Sequence, residues 1–237
     1  RHLVLLAWMV AGLLLSETIC FDRWKTRLPL AHCLAASWQR RCQRWLSNRR
    51  IDVEALYGPL IVWAIQHWQN PGHTLHLALD TTMLWNRCCV VVLSVVCHGR
   101  AIPLLWQTLE HPSASVSASV SITLLEKADQ LLAGFESITL LADRAFPCDE
   151  LIAWFRGRPR WSYVMRLRGD TEIHGTAAPL GCHVRRLRLR RGQCRGFRGV
   201  RLWADGSQSV NLVIAHPTGL PVEEPWYLIS NAEPSLD

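Results

Sequence analysis

Apolar positions recur at helical spacing up to about residue 70 and at a spacing of two from Thr74 onward. Leu3–Leu15 predicts one helix, His32–Leu46 a second, and Pro59–Gln69 a third with Ile61, Ile65 and Trp68 on one face. Asn70-Pro-Gly72 breaks the pattern. Leu75, Leu77 and Leu79 then alternate with polar residues up to Asp80. Cys88–Val96 is a long apolar run, and Ala101–Trp106 follows the turn His98-Gly-Arg100. These predict three antiparallel strands. Glu110–Ser121 reads as a serine-rich connector, Ile122–Leu132 as a helix and Ile138–Ala142 as a strand. A helix opened by proline, Pro147–Phe155, and a strand, Trp161–Leu167, complete the series.

Residues 168–224 leave that alternation. They are rich in Arg and Gly, with strand-like pieces at Val184–Leu189, Gly196–Trp203 and Val210–Ala215, before a returning strand at Pro225–Ser230. The order of elements predicts an α/β chain: a ribonuclease-H-like core with a β-rich insertion and an N-terminal helical region. The expected division is a helical, DNA-contacting region over 1–72, the first part of the core over 73–167, the basic insertion over 168–224, and a returning strand with the cut-off end of the core over 225–237. In this order the first and fourth strands are neighbours, which brings Asp80 and Asp143 together at the ends of two buried strands. A carboxylate there is costly to desolvate without a partner, and a shared divalent metal is the usual one.

Charge sharpens the picture. The formal charge is +7, but eight Arg/Lys and no acid lie between Arg23 and Arg50, and thirteen Arg face only Asp170 and Glu172 between Arg156 and Arg201. Two basic blocks around a neutral-to-acidic core point to a polyanion held at two places; solvated arginine faces are the plain alternative. Nine cysteines without a Cys-x-x-Cys spacing read as reduced thiols rather than a zinc or disulfide framework. Leu3–Leu15 spans about thirteen residues, short of the roughly 20 that cross a bilayer, and reads as a buried helix of a soluble, cytoplasmic protein.

Leu-Ala-Leu-Asp80-Thr-Thr, Leu-Leu-Ala-Asp143-Arg-Ala-Phe, Tyr163-Val-Met-Arg-Leu-Arg168 and Glu224-Pro-Trp-Tyr-Leu-Ile-Ser-Asn231 resemble bacterial DDE transposases of the insertion-sequence-four group, over essentially the whole chain. The resemblance implies DNA cleavage at transposon ends and strand transfer with two Mg²⁺ ions, Mn²⁺ being an alternative. Asp80 would bridge the ions and Asp143 would hold one. Thr81 would orient a carboxylate and Arg144 reach a phosphate. The implied partner is double-stranded DNA, as transposon ends and target, with a homodimer as an option and no membrane. The implied location is the bacterial cytoplasm, at the nucleoid.

Arg40, Arg41 and Arg44 of the second helix, and Arg185, Arg186, Arg188, Arg190 and Arg191 of the insertion, are the candidate DNA contacts. Trp161 and Trp203 lie among the insertion's arginines, and Trp203 is the candidate for stacking on a flipped base. His76 shares a strand face with Asp80 and reads as structural. In the family the third carboxylate sits on a later helix in a Tyr-x2-Arg-x3-Glu-x6-Lys pattern. This chain has no Arg or Lys after Arg201, and Glu223, Glu224 and Glu233 sit outside such a helix. A fragment with two of three ligands is therefore expected to show negligible strand transfer. The alternatives are a non-catalytic DNA-binding module and another ribonuclease-H-like nuclease.

Overall fold

The computed structural model describes residues 2–24, 26–28, 35–68, 72–218 and 225–233. His32 and Cys33, Asn70 and Pro71, and Glu223 and Glu224 lie outside the described residues. The chain divides into two compact units, Arg1–Leu56 and Tyr57–Asp237.

In the first unit, α1 (His2–Ser16), α2 (Phe21–Trp24) and α3 (Ala35–Leu46) enclose a small core of Met9, Trp24, Leu28, Trp38 and Cys42. A Cβ on Gly12 would lie 2.8 Å from the Trp24 ring, so only glycine lets α1 sit this close to it. The helix itself is as expected, but its burial is not. Leu3, Val4, Val10, Leu13, Leu14 and Leu15 are exposed, because a core of this size covers only one stripe of an all-apolar helix. Among the described residues no helix is long and apolar enough to cross a membrane.

Helix α4 (Val53–Trp68) starts six residues before the predicted Pro59. The Asp52 carboxylate accepts the Ala55 N–H at 3.0 Å, and this N-cap overrides the proline signal. Asp52→Ala is expected to cost about 1 kcal/mol, read by urea unfolding; no change would remove the cap from the account. Ile61 and Ile65 are buried, whereas Trp68 points outward.

The second unit is built on one mixed sheet. Its first half is β1 (Leu75–Leu84), β2 (Cys88–Cys97), β3 (Arg100–Leu109), β4 (Ile138–Ala142) and β5 (Trp161–Arg166). Its second half is β6 (Glu172–Gly175), β7 (Ala178–His183), β8 (Cys194–Leu202), β9 (Gln208–Ala215) and β10 (Trp226–Ser230). The order across the sheet is β3-β2-β1-β4-β5-β10-β9-β8-β6-β7. β1, β2 and β3 form an antiparallel meander, and β4 runs parallel to both β1 and β5. The strands after residue 168 continue the same sheet through β10, which pairs with β5 and β9.

Alternation assigns the faces. Leu75, Leu77, Leu79, Ile138, Leu140, Trp161, Tyr163 and Met165 are buried in a core shared with Leu124, Leu125, Ala128 and Leu132 from α5 (Ala118–Leu131) and its cap, and with Leu151, Ile152 and Trp154 of α6 (Asp149–Trp154). Asp129 on α5 ties this layer to β5, accepting from the Trp161 Nε1–H at 2.7 Å and from the Arg160 guanidinium. Arg160 also donates to the carbonyls of Leu132 and Phe135. The Asn231 side chain extends the ladder past β10, accepting from Tyr163 N–H and donating to Trp161 C=O, both at 3.0 Å.

Several predicted pieces differ. Val184–Leu189 is not a strand: Val184–Arg186 is a 3₁₀ turn whose N–H groups bond back to Thr171 and Gly169. β6 and β7 carry no apolar run to announce them; Gly175, Pro179 and Gly181 interrupt the pattern. Trp161, grouped with the basic insertion by sequence, is core, 2% exposed. Eight cysteines are described and all are free thiols.

Candidate functional site

The β1–β4 register carries the chain to Asp80 and to Asp143 at one level of the sheet. β1 and β4 pair in parallel as Leu75↔Ile138, Leu77↔Leu140 and Leu79↔Ala142. The pairing ends one residue before Asp80 on β1 and at the last residue of β4, directly before Asp143. Both share the parity of His76, Ala78, Thr139 and Leu141, so they stand on the face opposite the α5–α6 core. On the other side of β4 the pairing with β5 ends at Ala142↔Met165, directly before Asp143 and Arg166.

Two sequence expectations need correction. β1 continues past Asp80 to Leu84, paired with β2 as Asp80↔Val92, so Asp80 lies within its strand rather than at its end. Both aspartates are exposed, so desolvation is not what demands a partner. Each carboxylate is instead oriented by local backbone: Asp80 Oδ1 accepts from Thr81 N–H at 2.8 Å, and Asp143 Oδ1 from Ala145 N–H at 2.6 Å. A second bond, Phe146 N–H to Asp143 C=O at 3.2 Å, closes the turn after β4. The Phe146 ring is buried and anchors that turn, leaving Arg144 on the outside.

Asp143 opens onto a cleft of about 500 Å³ that it lines with Arg144, Ala145, Arg168, Gly169, Asp170 and Arg185. Asp80, one strand over, is not part of that lining. Three arginines and two aspartates thus line one cleft. Arg168 Nε lies 3.4 Å from Asp170 Oδ1, with the two side chains 68% and 55% exposed. Sequence reasoning missed Arg168 and Asp170 as a pair; the only signal was the end of the Tyr163–Arg168 strand.

The other candidates are dispersed. Arg186, Arg188, Arg190 and Arg191 are exposed along the irregular stretch between β7 and β8, outside the cleft. Arg40, Arg41 and Arg44 are exposed on α3, with Arg41 6.0 Å from the Trp38 ring. Trp203 is half-buried at φ 60° and lines a separate hollow of about 410 Å³ with Pro147, Cys148, Asp149, Ala204 and Asp205. Glu233 is committed elsewhere, 2.9 Å from Arg198.

The donor set of Asp80 and Asp143 suits a hard cation in kind, since it offers carboxylate oxygen only. It is sparse in number. Among the described residues no group of three His, Cys, Asp or Glu side chains converges there or elsewhere.

No sequence family and no curated protein matches the chain. Among solved structures it is similar to the piggyBac transposase in a synaptic complex with hairpin DNA. The TM-score is 0.52 at 10% identity, over 100% of this chain and 52% of that one. The likeness is one of fold: a mixed α/β chain with a large sheet, similar to a transposase. This chain spans about half the length of that protein. The catalytic domain of human endonuclease V aligns over 78% of this chain and 85% of its own at 15% identity, with a TM-score of 0.37 that carries no argument.

Proposed function

We propose that this chain carries the DNA-handling core of a DDE-type transposase of ribonuclease-H-like architecture, related to the insertion-sequence-four group. Asp80 and Asp143 would hold Mg²⁺ or Mn²⁺. The observation that supports this best is the β1–β4 register, which runs up to Asp80 on one strand and Asp143 on the other, with Asp143 lining an arginine-rich cleft. The piggyBac neighbour, solved with hairpin DNA, adds a fold-level argument for the same substrate class.

Bound there, a divalent cation would polarise a phosphoryl oxygen and lower the pKa of a coordinated water. The chain's own residues then have separable tasks. Asp80 and Asp143 supply negative charge and hard oxygen. Each Oδ1 accepts one backbone N–H, which leaves the other carboxylate oxygen for a cation. Thr81 orients the Asp80 carboxylate through its backbone N–H, and Arg144 offers a fork for phosphate oxygens. The exposed arginines of α3 and of residues 185–191 would supply sequence-independent contacts to the DNA backbone.

One observation favours a second reading, a DNA-binding module without catalysis: the described residues contain no third acid beside the pair. Cleavage of duplex DNA with Mg²⁺ would exclude the module; binding without cleavage would favour it. Both readings require salt-sensitive DNA binding. With several phosphates contacted, affinity for a duplex should fall about a thousandfold between 50 and 200 mM salt, measured by fluorescence anisotropy. A flat response refutes both.

A further inference from the structure

We infer that Asp170 is an internal competitor for the anion site of the cleft. It holds Arg168 when the cleft is empty, and a nucleic-acid backbone phosphate replaces it there, gripped by Arg168 and Arg185. The inference rests on the DNA reading above and names the regulation of that site.

The turn that presents these groups is fixed. β5 leaves the sheet after Arg166, and Leu167 N–H still bonds Tyr227 C=O at 2.7 Å. Thr171 N–H then bonds Arg168 C=O at 3.0 Å, closing a tight turn over Gly169 and Asp170. That turn is pinned to the 3₁₀ turn by Arg185 N–H to Gly169 C=O at 3.0 Å and Val184 N–H to Thr171 C=O at 2.9 Å. A Cβ on Gly169 would touch the Arg185 Cβ at 3.4 Å, so the two backbones lie in close contact. Val184 is fully buried and anchors the second turn. The backbones carrying Arg168 and Arg185 are therefore held together, while their charged ends reach into the cleft with Arg144.

The Arg168–Asp170 pair is suited to exchange rather than to stability. It is a single contact at 3.4 Å between two largely exposed side chains, where solvent screens the attraction. A phosphodiester offers Arg168 a two-point, charge-assisted contact and can engage Arg185 at the same time. Binding then costs the Arg168–Asp170 attraction, and that cost is how Asp170 opposes the phosphate.

The test is a double-mutant cycle on duplex binding at 50 mM salt in EDTA, so that no divalent metal takes part. Asp170→Asn is expected to tighten binding about fivefold, the size of the Arg168–Asp170 attraction at contact range in a watery site, which the phosphate then no longer has to displace. In an Arg168→Gln background that gain should vanish, and Arg168→Gln with Arg185→Gln should lower the log–log salt slope by about one to two. Unchanged affinity in Asp170→Asn, or an equal gain with and without Arg168, overturns the inference while leaving the DNA reading intact. A native protein that binds no duplex overturns both. Sodium phosphate at matched ionic strength separates the sources of the anion. Displacement of duplex from the native protein but not from Arg168→Gln would mark a site for free phosphate and overturn the assignment to a polynucleotide. All three exposed positions take near-isosteric replacements, and an unchanged circular dichroism spectrum confirms that each variant is folded.

Discussion

Asp143→Asn is expected to weaken Mn²⁺ binding by about tenfold or more, and Asp80→Asn by a similar factor, in a titration followed by the paramagnetic signal of free Mn²⁺. The loss of an outer partner that merely orients a ligand already costs 10–100-fold in metal affinity, so loss of a ligand should cost at least as much. Asparagine keeps one oxygen and the volume but removes the charge, which is most of what a hard cation binds. With both acids serving the one proposed site, the double variant should lose less than the product of the single losses. Asp205→Asn is the control: Asp205 is an exposed acid lining the separate Trp203 hollow, and its removal should leave the titration unchanged. Native-like Mn²⁺ affinity in either single variant would remove that residue from the metal site. Equal weakening in all three would reduce the effect to net charge.

The second large effect lies in the packing that holds β5 in place. Trp161→Ala should destabilise the second unit by about 3–5 kcal/mol in urea unfolding, the usual range for removing a large buried aromatic. Trp161 is 2% exposed, packs edge-on against Trp154 with ring centroids 5.2 Å apart, and donates to Asp129. Its removal leaves a cavity and takes one donor from a carboxylate already drawn from solvent. Burial raises the Asp129 pKa, but the hydrogen bonds from Trp161 and Arg160 and the nearby charges of Arg160 and Arg158 outweigh it, so the group sits below the ordinary carboxylate value. A depressed folded-state pKa contributes stability that is present above the unfolded value and is lost as pH falls through the folded one. Native stability should therefore drop on acidification below the ordinary aspartate range, and Trp161→Ala should flatten that dependence. A loss under 1 kcal/mol would mean that the α5–β5 layer does not depend on this ring.

The consequence for the site is mechanical. β5 is the strand that carries Arg166 and delivers Arg168 to the cleft, and Asn231 splints its backbone on the β10 side. Loosening β5 from α5 should therefore weaken duplex binding along with stability.

The hydrophobic period by itself determined the helical start of the chain, the meander, the β4 strand at its observed bounds and β5 to within a residue. In β1, β4 and β5 the apolar spacing matches one buried face, so local pattern and burial carry the same information there. It also determined that β1 and β4, the strands that lead to Asp80 and Asp143, are neighbours, because an α/β order of this kind leaves little choice about which strands pair. The exposure of α1 was not legible, since an all-apolar helix does not announce how little core its neighbours offer. The start of α4 was decided by one aspartate cap against one proline. The cleft was invisible in the sequence for a more general reason. Arg168 and Asp170 are neighbours in the chain, but Asp143 and Arg185 reach them only through the parallel β4–β5 register and the two backbone bonds that dock the 3₁₀ turn on Gly169. Those contacts join segments far apart in sequence, and no residue pattern encodes them. Tertiary structure alone decided which of many arginines share a cleft with a carboxylate and which merely face water.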